Sequence, residues 1–462
     1  MKLTYEQLEQ KVGQLEQIIR ELQELVHQLR AENAELRAKL NKNSSNSSKP
    51  PSSDQKTNAP KRENAEKGAA RHPGASCRLL PSSMVTSRES RKLDACPRCR
   101  SLMELTGKTT RWQQIDLPPI TPLVHEIELC ECKCSRCSLV SSPELREEEH
   151  YLMGPRLEGF VSLLMAQFRH SHLAVRSFLR LLIPELELSQ GLISKAKRRA
   201  AQAFSQAAVQ LHHELLSSSG PKFVDATGWR HWGKNYNILI VRSPLVIRYF
   251  LMEKQNGDVL AEILQAGPHF LISDRGLAVQ KVNVRHLQHC LAHFLRNIKG
   301  MAEDPRITLE ETQTLGEIHE TLQELFHDHH RYKRAEIGRE TWRQYSYRKW
   351  AWLRGRIKEL EDLGSSKTLK RFCRKALSGW KHFMVYLAQD GPMTNNLAEE
   401  GLRNLVIARK LCFGSRSSYG LKWREAVHSC VETLKRQGRS LLDFFAETIL
   451  AARTQAPAPR IV

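Results

Sequence analysis

Hydrophobic residues repeat at alternating spacings of three and four along the first 40 residues of the chain. The repeat consists of Tyr5, Leu8, Val12, Leu15, Ile19, Leu22, Val26, Leu29, Asn33, Leu36 and Leu40. One class of positions is largely β-branched and the other is leucine, which favours a parallel two-stranded coil, and Asn33 in the seam would fix its register. Residues 1–40 are therefore predicted to form a coiled-coil dimerisation helix. A single amphipathic helix packed on the chain's own core is the alternative.

The region that follows the heptads is rich in Ser, Asn, Pro and Lys and has almost no aliphatic side chains as far as Gly74. Such a composition cannot bury a core. We therefore expect a disordered basic linker, assigned to residues 41–92. The last segment, TQAPAPRIV, is expected to be frayed, within a tail assigned to residues 451–462.

Two Cys-x-x-Cys pairs flank the alternating segment VHEIELCEC, which predicts a strand. Together they supply four thiolates, the ligand set of a closed tetrahedral zinc site. The four cysteines are Cys96, Cys99, Cys134 and Cys137. Residues 93–140 are therefore predicted to be a structural zinc-binding domain, a zinc ribbon. Cys130 and Cys132 are rival ligands, and a redox dithiol is the weaker interpretation.

Helical periodicity extends over residues 150–218, with a break at ELELSQG. A turn at residues 189–191 followed by a basic helix suits helix-turn-helix contact with DNA, and a solvated basic helix explains the pattern equally well. The basic side chains are Lys195, Lys197, Arg198 and Arg199.

Strand-like segments begin at Lys222, where KFVDATGW, NYNILIVR and LVIRYFLM precede a helix through VLAEILQ and a fourth strand, HFLISD. This order predicts the first part of a ribonuclease H-like core over residues 221–300, within a multidomain α/β chain. The segment HLQHCLAHFLRNIKGM predicts helix, and residues 301–390 predict a helical insertion. Residues 391–450, with the motif TNNLAEEGLR, predict the closing helices.

Composition indicates a class of partner, because the chain has 71 Lys plus Arg and only 50 Asp plus Glu. A formal net charge of +21 favours a polyanion such as nucleic acid. No apolar run approaches a membrane span, and MKLTYEQLEQ has no signal-peptide core, so we expect a cytoplasmic protein. In that compartment the 11 cysteines are expected to be thiols or metal ligands.

Carboxylates are the residues that phosphodiester chemistry requires. Asp225 lies in the first predicted strand, Asp274 ends the fourth, and Glu399 and Glu400 stand side by side in TNNLAEEGLR. Acids that converge from different elements can hold two Mg²⁺ ions, which activate the attacking oxygen and stabilise the leaving one. From spacing alone, ordinary turn or capping roles for the aspartates are equally open.

The order of these motifs resembles that of the DDE transposases of the insertion-sequence 66 family. The heptads, SKPPSSD, the paired knuckles, DATGW, ISDRG, QHCLAHFLRN and TNNLAEEGLRNLVIARKLCFGS carry the resemblance over most of the chain. The resemblance implies a bacterial, nucleoid-associated enzyme that cuts transposon ends and joins the freed 3′ hydroxyls to target DNA. It also implies that Asp225, Asp274 and Glu399 are the catalytic acids and bind Mg²⁺ or Mn²⁺.

Two positions depart from the family's usual motifs. Ala226 replaces a glutamate, and Glu400 stands where the family usually has an arginine, which leaves the catalytic role to Glu399. Helical geometry favours Glu399 modestly, because at about 100° per residue it shares a face with Asn396 and Arg403. An extra carboxylate at position 400 could impair the enzyme.

Other side chains are candidates for supporting roles. Cys290 and His293 match a Cys-x-x-His element of many DDE transposases, and HDHH at residues 327–330 could supply further metal donors. Ordinary packing and a solvated HDHH turn are the simpler interpretation. The insertion's tryptophans, Trp342, Trp350, Trp352 and Trp380, are expected in the core for the most part, with base stacking as the alternative. Phosphate contacts are predicted for Arg403, Arg409, Lys410 and Arg416.

The sequence thus predicts a DNA transposase with catalytic Mg²⁺ or Mn²⁺ and structural Zn²⁺. Its expected partners are double-stranded DNA at element ends and target, a second copy of the chain, and accessory proteins of the same element. The alternative is a non-catalytic zinc and coiled-coil DNA-binding regulator, or a decayed transposase that only binds ends.

The heptad seam predicts the mass of the protein in solution. Replacing Leu22 and Leu29 by glutamate would put like charges into both copies of the seam, so we expect a dimer to become a monomer. Size-exclusion chromatography with light scattering measures the change. Gln14→Glu with Gln28→Glu, at outward positions of the same helix, should leave the dimer intact. An unchanged mass in the leucine variant would contradict the coiled coil.

Overall fold

The computed structural model describes residues 5–43, 46, 79–254, 256–265, 270–275, 279 and 282–461. Most of the predicted linker lies outside these residues. The chain divides into a small unit, residues 56–126 with 182–184, and a large unit that contains the remainder. Among the helices described, none combines the length and apolar composition needed to cross a bilayer.

The heptad region forms one continuous helix, α1 (Tyr5–Leu40), as predicted. From residue 12 onward the hydrophobic seam residues of α1 are exposed, with exposed fractions between 44% and 67%. The exposed seam residues are Val12, Leu15, Ile19, Leu22, Val26, Leu29, Leu36 and Leu40. This exposure disfavours packing on the chain's own core, while dimerisation stays a prediction.

The strand predicted for VHEIELCEC is wrong over most of its length. Residues 124–131 have no regular secondary structure, and the first strand to form is β1 (Cys132–Lys133), antiparallel to β2 (Val140–Ser141). Val124 and Leu129 are exposed. The alternating pattern therefore faces no core, and a strand without a partner leaves its backbone groups unpaired.

The helical region after residue 150 is confirmed as several helices with a break where it was predicted. They are α2 (Pro155–Ala166), α3 (His172–Leu182), α4 (Gln190–Ala203) and α5 (Ser205–Ser217). Ser189 begins α4 as its N-cap, since its hydroxyl accepts a hydrogen bond from the backbone N–H of Leu192 at 3.1 Å.

A five-stranded mixed sheet follows, with the predicted strands and helix in the predicted order. Its elements are β3 (Lys222–His231), β4 (Lys234–Arg242), β5 (Ile247–Met252), α6 (Gly257–Leu264), β6 (Phe270–Ser273) and β7 (His286–His289). The strand order is β5-β4-β3-β6-β7. The first three strands form an antiparallel meander, and β6 and β7 run parallel to β3.

The helix predicted to start at His286 is wrong in its first turn, because residues 286–289 form strand β7 and the helix starts only at Leu291. Leu287, Gln288 and His289 are all buried. A strand covered on both faces shows no alternation of polar and apolar residues, and its pairing with β6 is not visible in the local sequence.

The helices predicted after residue 300 are present, and together with the preceding helix they form a separate core. Its elements are α7 (Leu291–Ala302), α8 (Leu309–Lys333), α9 (Arg339–Leu363), α10 (Lys367–Ser378), a 3-10 turn (Trp380–Phe383) and α11 (Val385–Gln389). Trp342, Trp350 and Trp380 are buried in this core, as expected, whereas Trp352 is partly exposed.

The solvated turn expected for HDHH is wrong, because these residues lie within α8. Asp328 is buried and pairs with Lys349 at 2.7 Å. His329 is buried against the rings of Trp342 and Tyr386, and burial lowers its pKa to about 4. The segment therefore packs α8 against α9 and the end of the insertion.

Three closing helices complete the large unit: α12 (Asn396–Cys412), α13 (Ser418–Gln437) and α14 (Leu441–Arg453). Residues on one face of β3 and β4, such as Phe223 and Ile240, pack against α12. Their neighbours on the opposite face, such as Val224 and Val241, belong to the core formed with α13 and α2–α5. The sheet is thus covered by helices on both faces.

Candidate active site

Two of the predicted acids sit on adjacent parallel strands. In the β3–β6 register Val224 is opposite Ser273, which places Asp225, within β3, beside Asp274, the first residue after β6. The backbone N–H of Ala226 donates to a carboxylate oxygen of Asp225 at 2.8 Å. Parallel pairing at the centre of the sheet therefore fixes the first two carboxylates.

Helix α12 brings the third acid to the same place. Asn395, buried just before the helix, donates its side-chain N–H to the carbonyl of Val224 at 2.8 Å. Its backbone N–H donates to the Cys290 sulfur at 3.2 Å. One turn further along, the Glu399 carboxylate lies 3.2 Å from Arg296. Asn395 thus ties the first turn of α12 to the strand that carries Asp225.

The electrostatics place the three acids within range of one another. Burial, together with the negative charges of Asp274 and Glu399, raises the pKa of Asp225 to about 7. The N–H of Ala226 and the charge of Arg296 oppose this rise in pKa. Such a site concentrates negative charge in a partly desolvated place, which a bound cation would relieve.

Cys290 and His293 border the same cluster. Candidate ligand atoms of Cys290, His293 and Glu399 all lie within 4.8 Å of one another. Burial raises the pKa of the Cys290 thiol and lowers the pKa of His293. Near neutral pH these side chains are therefore a thiol and a neutral imidazole, and the Cys290 sulfur is already an acceptor for the N–H of Asn395.

Glu400 faces away from this cluster. Its carboxylate lies 3.1 Å from Arg242 on β4 and 3.4 Å from Arg436 on α13. The two neighbouring glutamates of α12 consequently have different surroundings, one beside the aspartates and the other between two arginines.

A cavity of about 880 Å³ adjoins Asp274 and His293. Leu287 and Phe372 contribute apolar surface, and Lys375 and Lys381 contribute positive charge to its lining. Sequence reasoning missed this cavity because its walls come from β7, α7, α10 and the 3-10 turn. It also missed Arg296, although the i,i+3 spacing from His293 along α7 was a usable signal.

The residues predicted to bind DNA fall into two groups. Lys195, Arg198, Arg403, Lys410 and Arg416 are exposed. The other three, Lys197, Arg199 and Arg409, make internal contacts: Lys197 lies 4.7 Å from the Trp423 ring centroid, Arg199 pairs with Glu158 at 2.9 Å, and Arg409 donates to Gly228. Burial lowers the pKa of Lys197 to about 8.

The first cysteine knuckle, in the small unit, is a hydrogen-bonded turn. The N–H of Cys96 donates to the Ser101 carbonyl at 2.8 Å, and the N–H of Arg100 donates to the Cys96 carbonyl at 2.8 Å. Arg100 has a positive φ of 61°. Hydrogen bonding with Ser101 lowers the pKa of Cys99, which favours the thiolate that zinc requires.

The second knuckle, in the large unit, repeats this geometry at the end of the β1–β2 hairpin. The N–H of Cys134 donates to the Leu139 carbonyl at 2.8 Å, and the N–H of Ser138 donates to the Cys134 carbonyl at 2.9 Å. Ser138 has a positive φ of 59°. The backbone N–H of Cys137 lowers the pKa of Cys134. The rival Cys132 lies in β1, and the four-cysteine site stays a prediction.

Asp225→Asn should stabilise the metal-free protein while removing a carboxylate that is predicted to bind metal. The folded-state pKa of Asp225 is raised, so ionisation costs stability as pH rises from about 4 to about 7. In EDTA at pH 8 we expect the free energy of unfolding of the variant to exceed that of wild type by on the order of 1–3 kcal/mol. The difference should vanish near pH 4, as measured by denaturant unfolding.

The control for this variant is Asp443→Asn, an exposed carboxylate on α14. Mg²⁺ should raise the unfolding midpoint of wild type and of Asp443→Asn, but not that of Asp225→Asn. Equal stability of Asp225→Asn and wild type in EDTA at every pH would contradict the electrostatic strain described for the three acids.

Two family models match parts of the chain. The family model described as Transposase IS66 family matches residues 161–422, and a model of a family of unknown function (DUF6444) matches residues 3–77. No curated protein shows significant similarity to the chain. The first match covers more than half of the 462 residues and contains Asp225, Asp274 and Glu399. The chain therefore belongs to the IS66 family of transposases, DNA-binding enzymes of transposition.

Proposed function

We propose that this transposase cuts the strands at transposon ends and joins the freed 3′ hydroxyls to target DNA through a DDE site. Asp225, Asp274 and Glu399 are the three acids of that site. The observation that carries the proposal is the β3–β6 register, which sets two aspartates side by side, together with the position of Glu399 within electrostatic range of both.

The donor set suits Mg²⁺ or Mn²⁺. Three carboxylates provide the hard oxygen ligands that these ions prefer. The raised pKa of Asp225 indicates a need for compensating positive charge beyond that of Arg296. In addition, the buried side-chain oxygen of Asn395 accepts no hydrogen bond from the described residues. When bound, two such ions supply activation of the attacking oxygen and stabilisation of the leaving one.

The chain's own residues orient the site. Arg296 contacts the Glu399 carboxylate and limits its rotation, and Asn395 joins the start of α12 to β3. His293 lies 3.5 Å from Glu399 and is kept neutral by burial, so it adds a polar contact without adding charge. We assign Cys290 a packing role, because its sulfur accepts the Asn395 N–H.

The positive charge near the site suits a DNA backbone. The cavity beside Asp274, with Lys375 and Lys381 in its lining, would admit one DNA strand at the scissile phosphate. The exposed cations described above would contact phosphates further away, and because such contacts carry little sequence information they would position the DNA rather than select it. Base readout is not assigned to them.

The accessory regions complete the proposal. The strand order β5-β4-β3-β6-β7, with two parallel strands beside an antiparallel meander, supports a ribonuclease H-like core. The exposed seam of α1 supports a parallel coiled-coil dimer, and the two knuckles support structural zinc. Element ends, target DNA, a second copy and accessory proteins of the element are the partners that this organisation would engage.

The test of catalysis is end cleavage and strand transfer on labelled DNA carrying the element's flanks, with Mg²⁺ or Mn²⁺ against EDTA. Wild type should give metal-dependent products, and Glu399→Gln should reduce them by at least about 10³-fold, because it removes a ligand carboxylate. Glu400→Gln, at a matched neighbouring position, should retain more activity than Glu399→Gln.

Loss of products only in Glu400→Gln would move the catalytic assignment by one residue. End binding by wild type without products in either metal would favour the regulator or decayed copy. Release of 3′ ends without joining would indicate a nuclease instead.

The zinc proposal is tested by metal analysis of the purified chain. We expect one zinc per chain, released with loss of folding in the cysteine region when Cys96 and Cys134 are both changed to serine. Cys412→Ser, an exposed cysteine elsewhere, is the control and should keep its zinc. Full zinc content in the double variant, or zinc lost only when Cys130 and Cys132 are changed, would contradict this ligand set.

A further inference from the structure

The paired glutamates of α12 are separated by their partners. Arg242, whose side chain is only 4% exposed, donates hydrogen bonds both to the Glu400 carboxylate and to the Leu397 carbonyl. Arg436 approaches the other oxygen of Glu400 from α13. One carboxylate therefore links α12 to a strand on one side and to a helix on the other.

The two arginines need this carboxylate. Burial lowers the pKa of Arg242, and the nearby charge of Arg436 lowers it further. Arg436 has a second acidic partner, Glu432, at 2.8 Å, whereas the described ion pairs of Arg242 involve Glu400 alone. Without the charge of Glu400, the buried guanidinium of Arg242 would face that of Arg436 with no acid between them. Repulsion between two poorly solvated cations would destabilise the fold.

The adjacent residue holds the helix at close range. A Cβ atom on Gly401 would lie 2.4 Å from the terminal methyl of the Ile240 side chain, which would have to move to admit it, so α12 packs closely on β4 here. The Tyr249 hydroxyl donates to the Gly401 carbonyl at 2.6 Å. The turn that contains both glutamates is thus fixed to the sheet by a close contact, a hydrogen bond and the ion pairs of Glu400.

We infer that Glu400 is a positioning residue whose ion pairs with Arg242 and Arg436 fix the rotation of α12 and so direct Glu399 toward Asp225 and Asp274. Consecutive helical residues differ by about 100°, and a small rotation of the helix would move the Glu399 carboxylate out of place. The inference rests on the proposed function of Glu399 as a ligand. The glutamate at position 400 is then matched to this chain's arginines and is no sign of decay.

A counterintuitive consequence is that the residue usual in the family would be harmful here. Arginine at position 400 would place a third cation beside Arg242 and Arg436. We expect Glu400→Arg to lower the single-turnover strand-transfer rate about 10- to 100-fold, since small displacements of a reacting group have effects of this size. Mn²⁺ affinity, measured by electron paramagnetic resonance, should fall as well, whereas DNA affinity should not.

The double variant Glu400→Arg with Arg436→Glu restores a pair of opposite charges. Its strand-transfer rate should be at least about threefold higher than that of Glu400→Arg, and part of the Mn²⁺ affinity should return. Glu447→Arg, an exposed position on α14 with the same change in charge, should behave as wild type. If Glu400→Arg does not fold, Glu400→Gln replaces it and should lower Mn²⁺ affinity with an intact unfolding transition.

Wild-type activity and Mn²⁺ affinity in Glu400→Arg would overturn the inference, and so would a double variant that recovers nothing. If wild type binds Mn²⁺ but transfers no strands, the proposed function fails. In that case a weaker Mn²⁺ affinity in Glu400→Arg, recovered in the double variant, still supports the positioning role.

Discussion

The parallel pairing of β3 with β6 is the constraint on which the rest of the site depends. A single register, Val224 opposite Ser273, sets Asp225 on the central strand beside Asp274, which follows the end of β6. Burial raises the pKa of Asp225, and the negative charge of the neighbouring Asp274 contributes to this rise. Helices cover both faces of the sheet, and their packing keeps the two strands, and with them the two carboxylates, in place.

Helix α12 separates two electrostatic environments. On the side of the aspartates, Arg296 is the cation near Glu399, and the excess charge is negative. On the side of β4 and α13, two arginines and Glu432 surround Glu400. Asn395 and Gly401 fix the helix between these environments by a hydrogen bond and a close contact. The orientation of α12 is therefore decided by interactions on both of its sides.

Part of the chain's positive charge lies inside the fold, where it serves packing. Arg424 is buried between the rings of Trp229 and Trp423, at 4.8 and 5.3 Å from their centroids. Lys197 lies over the same Trp423 ring. Aromatic faces offer such cations a favourable environment without an acid. Net charge alone consequently overstates how many arginines and lysines of this protein are free to contact DNA.

Local patterns in the sequence determined the continuous helix α1, the helical region after residue 150 with its break, and the strands of the meander with the following helix, while the order of motifs indicated the family. They failed at β7 and at VHEIELCEC, because a strand depends on a partner that the local sequence does not specify. The motif residues also named the three acids, but only by resemblance. Only the tertiary structure decided that Asp225 and Asp274 are neighbours. It also decided that Arg296 contacts Glu399 and that Asn395 bonds to the strand of Asp225. The different partners of Glu399 and Glu400 likewise appear only in the folded protein. These facts depend on register and on long-range hydrogen bonds and ion pairs, between residues up to 171 positions apart in the chain, which periodicity along the chain does not encode.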